Sequence, residues 1–356
     1  MQHTTGEMKM RLKDIYSPIE KELAKVEEIL RSSLGDSGYG RISDMSEYLL
    51  DAKGKRLRPA LVIFSAKAAS RSASPLTTRR LADIAAAMEL VHMASLIHDD
   101  VIDHATLRHN KPTVNRKWGS DISIALGDYL YAVAFELISK CGYADILGCI
   151  SSAAKAMCEG ELIQVCERDN LDLLRQRYIM KVRKKTASLF AASCRAGAML
   201  TNHDTFIQEG LREYGMNFGI AFQIADDCLD LIGKKKDLGK EPGADFKMGE
   251  LTLPALNLVF YSADKKHVIS LIAEREKKEA FEELRERFLS SRAFAKTGED
   301  VSSYVKKAKN SLNVLGSSAF KNGLLDLADY VSARIKVEIK VGTSNQVRRT
   351  MLTKRR

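Results

Sequence analysis

Two short acidic clusters carry the clearest chemistry in this chain: Asp99-Asp100-Val101-Ile102-Asp103 and Asp226-Asp227-Cys228-Leu229-Asp230. Both have the form DDxxD. On a helix, positions i and i+4 share a face, so Asp99 with Asp103, and Asp226 with Asp230, can each aim paired carboxylates at one point. Like charges at that spacing repel, and a hard divalent cation removes the cost. Magnesium suits such oxygen ligands and is usually shared with substrate phosphates. A solvated acidic helix end is the bland alternative for any one cluster. Here each cluster directly follows an apolar run, Met93-Ala94-Ser95-Leu96-Ile97 or Phe222-Gln223-Ile224-Ala225, and the pattern occurs twice. His92 lies two turns before Asp99 on the same stripe, and Gln223 shares a face with Asp226, Asp227 and Asp230.

Cations accompany the carboxylates. Lys55, Arg56 and Arg58 sit in Gly54-Lys55-Arg56-Leu57-Arg58-Pro59, and Arg108 and Lys111 follow the first cluster. Lys184, Lys185 and Thr186 interrupt an apolar segment, and Lys240 stands between Gly239 and Glu241-Pro242-Gly243. A glycine-rich loop lets backbone and lysine approach phosphate oxygens. Each basic group alone reads as an ordinary turn. With six motif aspartates they describe a site for magnesium-bound diphosphate anions.

The elements that position these residues read as helices. Apolar residues make up 45% of 356, and only six prolines interrupt them. Ala, Leu, Glu, Lys and Met dominate, and β-branched alternation is scarce. The spacing predicts helices over 19–34, 44–51, 60–69, 77–103, 122–140, 144–168, 171–200 and 206–231, a loop over 233–249, and helical structure from 253 to 340. The fold class is all-α. The expected organisation is a flexible N-terminus over 1–12, one domain over 13–340, and a basic, disordered tail over 341–356.

The net charge is +10, and Arg348, Arg349, Lys354, Arg355 and Arg356 carry much of the excess. No nucleic-acid motif accompanies it, so no nucleic-acid partner is expected. Six cysteines without a CxxC pair suggest reduced thiols and a cytoplasmic location. The N-terminus is polar, and no apolar run approaches bilayer length, leaving at most peripheral membrane contact.

The ordered set of motifs resembles the trans-isoprenyl (polyprenyl) diphosphate synthases, most closely the long-chain heptaprenyl and octaprenyl types. Over residues 45–255 come Gly54 to Pro59, the first DDxxD, Arg108 with Lys111-Pro112-Thr113, and Gly127-Asp128-Tyr129-Leu130. Glu159-Gly160-Glu161 with Gln164, Lys185-Thr186-Ala187, Gln223 with the second DDxxD, Gly239-Lys240 and Leu251-Thr252-Leu253-Pro254 follow. The resemblance implies a single-domain antiparallel helix bundle around a central cavity (the isoprenoid synthase fold), active as a homodimer. It implies Mg2+, three ions with bound diphosphate, ligated by Asp99, Asp103 and Asp226 and supported by Asp100, Asp227 and Asp230. Lys55, Arg58 and His92 are implied to hold isopentenyl diphosphate. Arg108, Lys185, Thr186, Gln223 and Lys240 are implied to hold an allylic diphosphate such as farnesyl or geranylgeranyl diphosphate.

Three positions depart from the family pattern. His109 replaces an arginine expected to bind isopentenyl diphosphate, His104 stands where an acidic residue is common, and Glu250 occupies a place that often carries lysine. Along the first-motif helix, Ala94 and Ser95 are small where the family's short-chain members carry bulky aromatics, and Val91 further back on the face of Ala94 is not aromatic, so the expected product is long. Close packing against a neighbouring helix is the alternative use of such small residues. The rival readings are a short-chain synthase, one subunit of a heteromeric synthase, and a cyclase or head-to-head enzyme of the same fold. The complete motifs disfavour a non-catalytic subunit, and the expected isopentenyl site at Lys55, Arg58 and His92 disfavours the last.

Overall fold

Long breaker-free stretches become long helices. The computed structural model describes residues 11–35, 39–51, 54–70, 75–108, 110–168, 175–233 and 242–335. In order the helices are α1 Leu12–Tyr16, α2 Glu20–Gly35, α3 Gly40–Asp51, α4 Leu57–Ala69, α5 Pro75–Ile102, α6 Val114–Trp118, α7 Ser120–Lys140 and α8 Ala144–Cys166. Next come α9 Arg175–Val182, α10 Ser188–Thr201, α11 Thr205–Ile232, α12 Ala244–Lys247, α13 Leu253–Tyr261, α14 Lys265–Ala273, α15 Lys278–Ser290 and α16 Arg292–Ser311. Residues 319–335 form α17. The expected all-α class holds. The two-residue strands Leu107–Arg108 (β1) and Lys111–Pro112 (β2) pair antiparallel just after the first motif. Strands this short leave no periodicity to read.

The core is built on α4, α5, α10 and α11. Helix α5 packs on α7 and α4, α10 packs on α4, α8 and α11, and α11 packs on α16. Helix α4 buries nearly every residue from Leu57 to Ala66, which explains its lack of a polar stripe. By contrast α16 buries Ala293, Thr297, Val301, Val305 and Ala308, one per turn, so it faces the core along a single stripe. Tyr214, Phe218 and Phe222 stack along α11 with ring centroids 5.9 and 6.2 Å apart, and Phe190 meets Phe218 at 5.3 Å. Burying each such ring is worth about 1.5–3 kcal/mol. The stack runs from the core to the residue just before Gln223.

One expected helix is broken. Within the predicted 171–200 helix, α9 and α10 are separated by a π-helical turn, Arg183–Ala187. Such turns insert one extra residue and favour functional sites. This one holds Lys184, Lys185 and Thr186. Gly160 on α8 faces it so closely that an added Cβ meets the Lys185 backbone nitrogen at 2.4 Å. Only glycine permits that approach. The expectation of no membrane-length apolar run is also corrected. Residues 79–102 of α5, and α7, have the length and hydropathy to span a bilayer. Of their apolar windows, 72% is buried in the first and only 33% in the second. Thus α5 is a core helix, and α7 has an open face. The N-terminal segment through residue 10, His109, Gly239, Lys240 and the tail from 341 lie outside the described residues.

Candidate active site

The first motif ends α5. The Asp103 amide still donates to the Asp99 carbonyl at 2.8 Å, and His104, at φ 49°, turns the exposed chain away into the hairpin. Asp99 and Asp103 keep 20% and 29% of their side chains exposed, whereas Asp100 is buried. Arg108 on β1 fastens Asp100: Nε donates to its two oxygens at 2.9 and 3.1 Å, and Nη2 lies 2.8 Å from Oδ1. Asn115 holds the same turn by donating to the Asp100 and Ala105 carbonyls at 3.2 and 3.0 Å. Asp103 is paired with Arg168.

The second motif ends α11 in a similar division. Asp226 is 37% exposed at its side chain and is paired with Arg334 of α17. Asp227 and Asp230 are buried. Tyr178 donates its hydroxyl to Asp227 Oδ2 at 2.6 Å, and Gln223 Nε2 donates to Oδ1 at 2.7 Å. Asp230 Oδ2 accepts from the Asp245 amide at 3.2 Å, anchoring α12. The expected side-by-side pairing of Asp226 with Asp230 is therefore not seen. Asp99, Asp103 and Asp226 are the open carboxylates, and the other three are built into the scaffold.

Two consecutive residues of the π turn join the motifs. Lys185 is paired with Glu161, and its Nζ lies 3.8 Å from Asp99 Oδ1. Thr186 donates to Gln223 Oε1 at 2.9 Å, and Gln223 passes the connection to Asp227. Asp245 also acts on both sides, raising Asp103 and Asp227 through its charge.

The electrostatics match this crowding. Burial pushes the Asp99 carboxyl up to about 7; Glu161 adds to the rise and Lys185 opposes it. Burial pushes Asp227 up to about 8, with Asp245 adding and the Tyr178 and Gln223 hydrogen bonds opposing. Burial works to lower the Lys185 ammonium, but Asp99 and Glu161 outweigh it and hold it above its usual value. In both carboxyls desolvation outweighs the cations and hydrogen bonds that favour the charged form.

A second basic cluster borders Asp226. Lys55 Nζ and the Arg334 guanidinium lie 5.7 and 4.9 Å from the Phe222 ring centroid. Desolvation, then Arg334, lower the Lys55 pKa, while Asp226 opposes the drop. Arg58 is buried 4.3 Å from the Phe190 centroid, and burial lowers it to about 10. Arg56, at φ 51° before α4, serves the scaffold, reaching Glu27 at 2.5 Å and Glu89 at 2.9 Å. His92 is half-buried on α5. Ser95 donates its hydroxyl to the His92 carbonyl at 2.8 Å. Val91 and Ala94 are fully buried.

A sequence model of the family described as Polyprenyl synthetase matches residues 40–288. The chain belongs to the polyprenyl synthetase family. The synthase is 33% identical over 328 residues to heptaprenyl diphosphate synthase component 2 of Geobacillus stearothermophilus, covering 91% of this chain and 99% of that one. It is 32% identical over 331 residues to geranylgeranyl diphosphate synthase of Methanosarcina mazei, covering 91% and 99%. Its fold matches the crystal structure of a Caulobacter crescentus polyprenyl synthase complexed with calcium and isoprenyl diphosphate. That match has a TM-score of 0.85 at 33% identity, covering 92% of this chain and 98% of that one. The synthase is thus a prenyltransferase with the all-helical isoprenoid synthase fold.

Several site residues of the synthase carry no sequence signal of their own. Arg334, Arg168, Tyr178 and Asp245 reach the motifs only through tertiary packing. The motif glycine Gly127 is explained by the same packing, because a Cβ there meets the His98 ring at 2.2 Å. The open donor set, all carboxylate oxygen, fits a hard divalent cation. Among the described residues, no three His, Cys, Asp or Glu side chains converge to enclose an ion unaided. The donors present therefore suit a cation shared with a phosphate ligand.

Proposed function

We propose that this synthase condenses isopentenyl diphosphate with an allylic diphosphate, farnesyl or geranylgeranyl, to make a long all-trans polyprenyl diphosphate. The observation that carries the reading is the Lys185–Thr186 bridge, which ties the Asp99 side to the Asp227 side. A diphosphate with its counter-ions fits between two carboxylate groups joined in that way.

Asp99, Asp103 and Asp226 hold magnesium, three ions with the bound diphosphate. When bound, the metal supplies positive charge to the departing diphosphate. Asp100, Asp227 and Asp230 orient the open carboxylates through their own bonds. Arg108, Lys185, Thr186, Gln223 and Lys240 hold the allylic diphosphate, and the charges of Lys185 and Arg108 stabilise it as the C–O bond ionises. Lys55, Arg58, His92 and His109 hold isopentenyl diphosphate, with Arg334 joining them beside Asp226. The aromatic and aliphatic wall behind the motifs keeps water from the carbocation. The isopentenyl double bond attacks it, and the proton then lost goes to the released diphosphate.

The long product rests on Val91, Ala94 and Ser95, none of which places bulk behind the first motif. The relatives themselves are named for both long and short products. The domain spans residues 13–340, acts in the cytoplasm, and pairs as a homodimer. Asp99→Ala and Asp226→Ala test the site: each is expected to cut turnover by orders of magnitude with the fold intact. Near-normal turnover in either variant rejects the assignment.

A further inference from the structure

We propose that Lys181 of α9 is a diphosphate-binding residue of this site, held ready by Glu250. Lys181 is only 9% exposed. Its nearest carboxylate oxygen, Glu250 Oε2, lies 3.9 Å from Nζ, beyond hydrogen-bond distance. Among the described residues its ammonium has no hydrogen bond. The ammonium at the tip of this otherwise buried side chain still meets solvent, so its three donors are open to an incoming acceptor. Glu250 does not take them up, because Oε2 is too far away and Oε1 accepts from Gln164.

The surroundings say which acceptor is suited. Helix α9 packs on the π turn, on α11 and on α13, and Glu250 Oε2 is 3.9 Å from the ammonium, whose charge also acts on Asp227. Lys185 and Asp103 also act on Glu250. Lys181 thus stands at the edge of the space bounded by both motifs. An acceptor entering there has to be anionic and rich in oxygen, as a metal-bound diphosphate is. Glu250 is the counter-charge of this lysine.

The inference rests on the site assignment above, so its test separates binding from turnover. Isothermal titration of magnesium pyrophosphate into wild type, Lys181→Met, Lys181→Arg and Lys181→Met/Glu250→Lys reads binding directly. Steady-state kinetics reads the two substrates separately. Lys181→Met is expected to weaken pyrophosphate binding, and to raise the allylic diphosphate KM, about tenfold or more. The isopentenyl diphosphate KM is expected to stay within about twofold. Lys181→Arg keeps most of the affinity, and the double variant, with its lysine moved to position 250, regains most of the loss. Unchanged pyrophosphate affinity in Lys181→Met overturns the proposal, as does an equal rise in both KM values or a double variant no better than the single. If Lys181→Met does not fold by circular dichroism, the double variant decides alone. Absence of condensation by wild type rejects the substrate reading, while the titrations still decide Lys181.

Discussion

Arg334, from the last described helix, is paired with Asp226 of the second aspartate motif. The same guanidinium covers the Phe222 ring and depresses the Lys55 pKa. One residue far along the chain therefore pairs with an open carboxylate and adds to the burial that lowers the pKa of a neighbouring lysine. Replacing Arg334 with alanine leaves Asp226 without its counter-ion in a partly desolvated place. We expect kcat/KM for isopentenyl diphosphate to fall about tenfold or more, equal to about 1.4 kcal/mol of lost stabilisation. Arg334→Lys keeps the charge and loses less. Kinetics of both variants check this, and a wild-type value for Arg334→Ala contradicts it.

Three partly or fully desolvated carboxyls make the metal-free protein sensitive to pH in a definite direction. Asp99 is pushed up to about 7, Asp227 to about 8 and Glu250 to about 7, from ordinary values of 3.8, 3.8 and 4.5. Burial is the first cause in each. Through this window the folded chain holds protons that the unfolded chain has released. Stability therefore falls as pH rises from about 4 to about 8, by up to about 1.4 kcal/mol per pH unit for each group. Metal-free protein is expected to melt at a higher temperature at pH 6 than at pH 8.5. Magnesium with pyrophosphate is expected to flatten the difference, since bound cations remove the need for the protons. A melting temperature that rises with pH in the metal-free protein contradicts this account of the carboxyls.

Chain length provides a third prediction. Ala94 lies on α5 five residues before Asp99 and is fully buried, as is Val91. Ala94→Phe adds a ring on the face assigned to the growing chain. It is expected to shift products toward farnesyl or geranylgeranyl length while most catalysis is retained. Chromatographic sizing of the products checks it. If the variant makes the same long products as wild type, this face does not line the tunnel, and the small residues serve helix packing.

Much of this molecule is legible in its sequence because the chemistry sits in local patterns. The two DDxxD runs, the apolar stretch before each, and Lys185-Thr186 are contiguous, and helical period places them on faces without reference to the fold. The expected α2, α5, α7, α8 and α11 agree with the observed elements to within about three residues at each end. The π turn at Arg183–Ala187 was not legible, because its polar residues mark a break in the apolar pattern but not the extra residue in the helical turn. It depends on the close approach of Gly160, 25 residues away. Arg334 and Tyr178 were not legible for a related reason. Each is one polar residue in an ordinary amphipathic helix, and only packing against α11 gives it a carboxylate partner. The i,i+4 rule over-read the second motif: Asp226 and Asp230 are separated by burial, since Asp230 is taken up by the amide of Asp245.

The central claim is condensation of two diphosphates between the aspartate motifs. Its most direct test is to incubate purified protein with labelled isopentenyl diphosphate and farnesyl diphosphate, with and without Mg2+, and size the products. The account predicts metal-dependent incorporation into polyprenyl chains of hexaprenyl to decaprenyl length, abolished by chelation. Incorporation that persists without divalent metal, or none with any allylic primer in its presence, contradicts it.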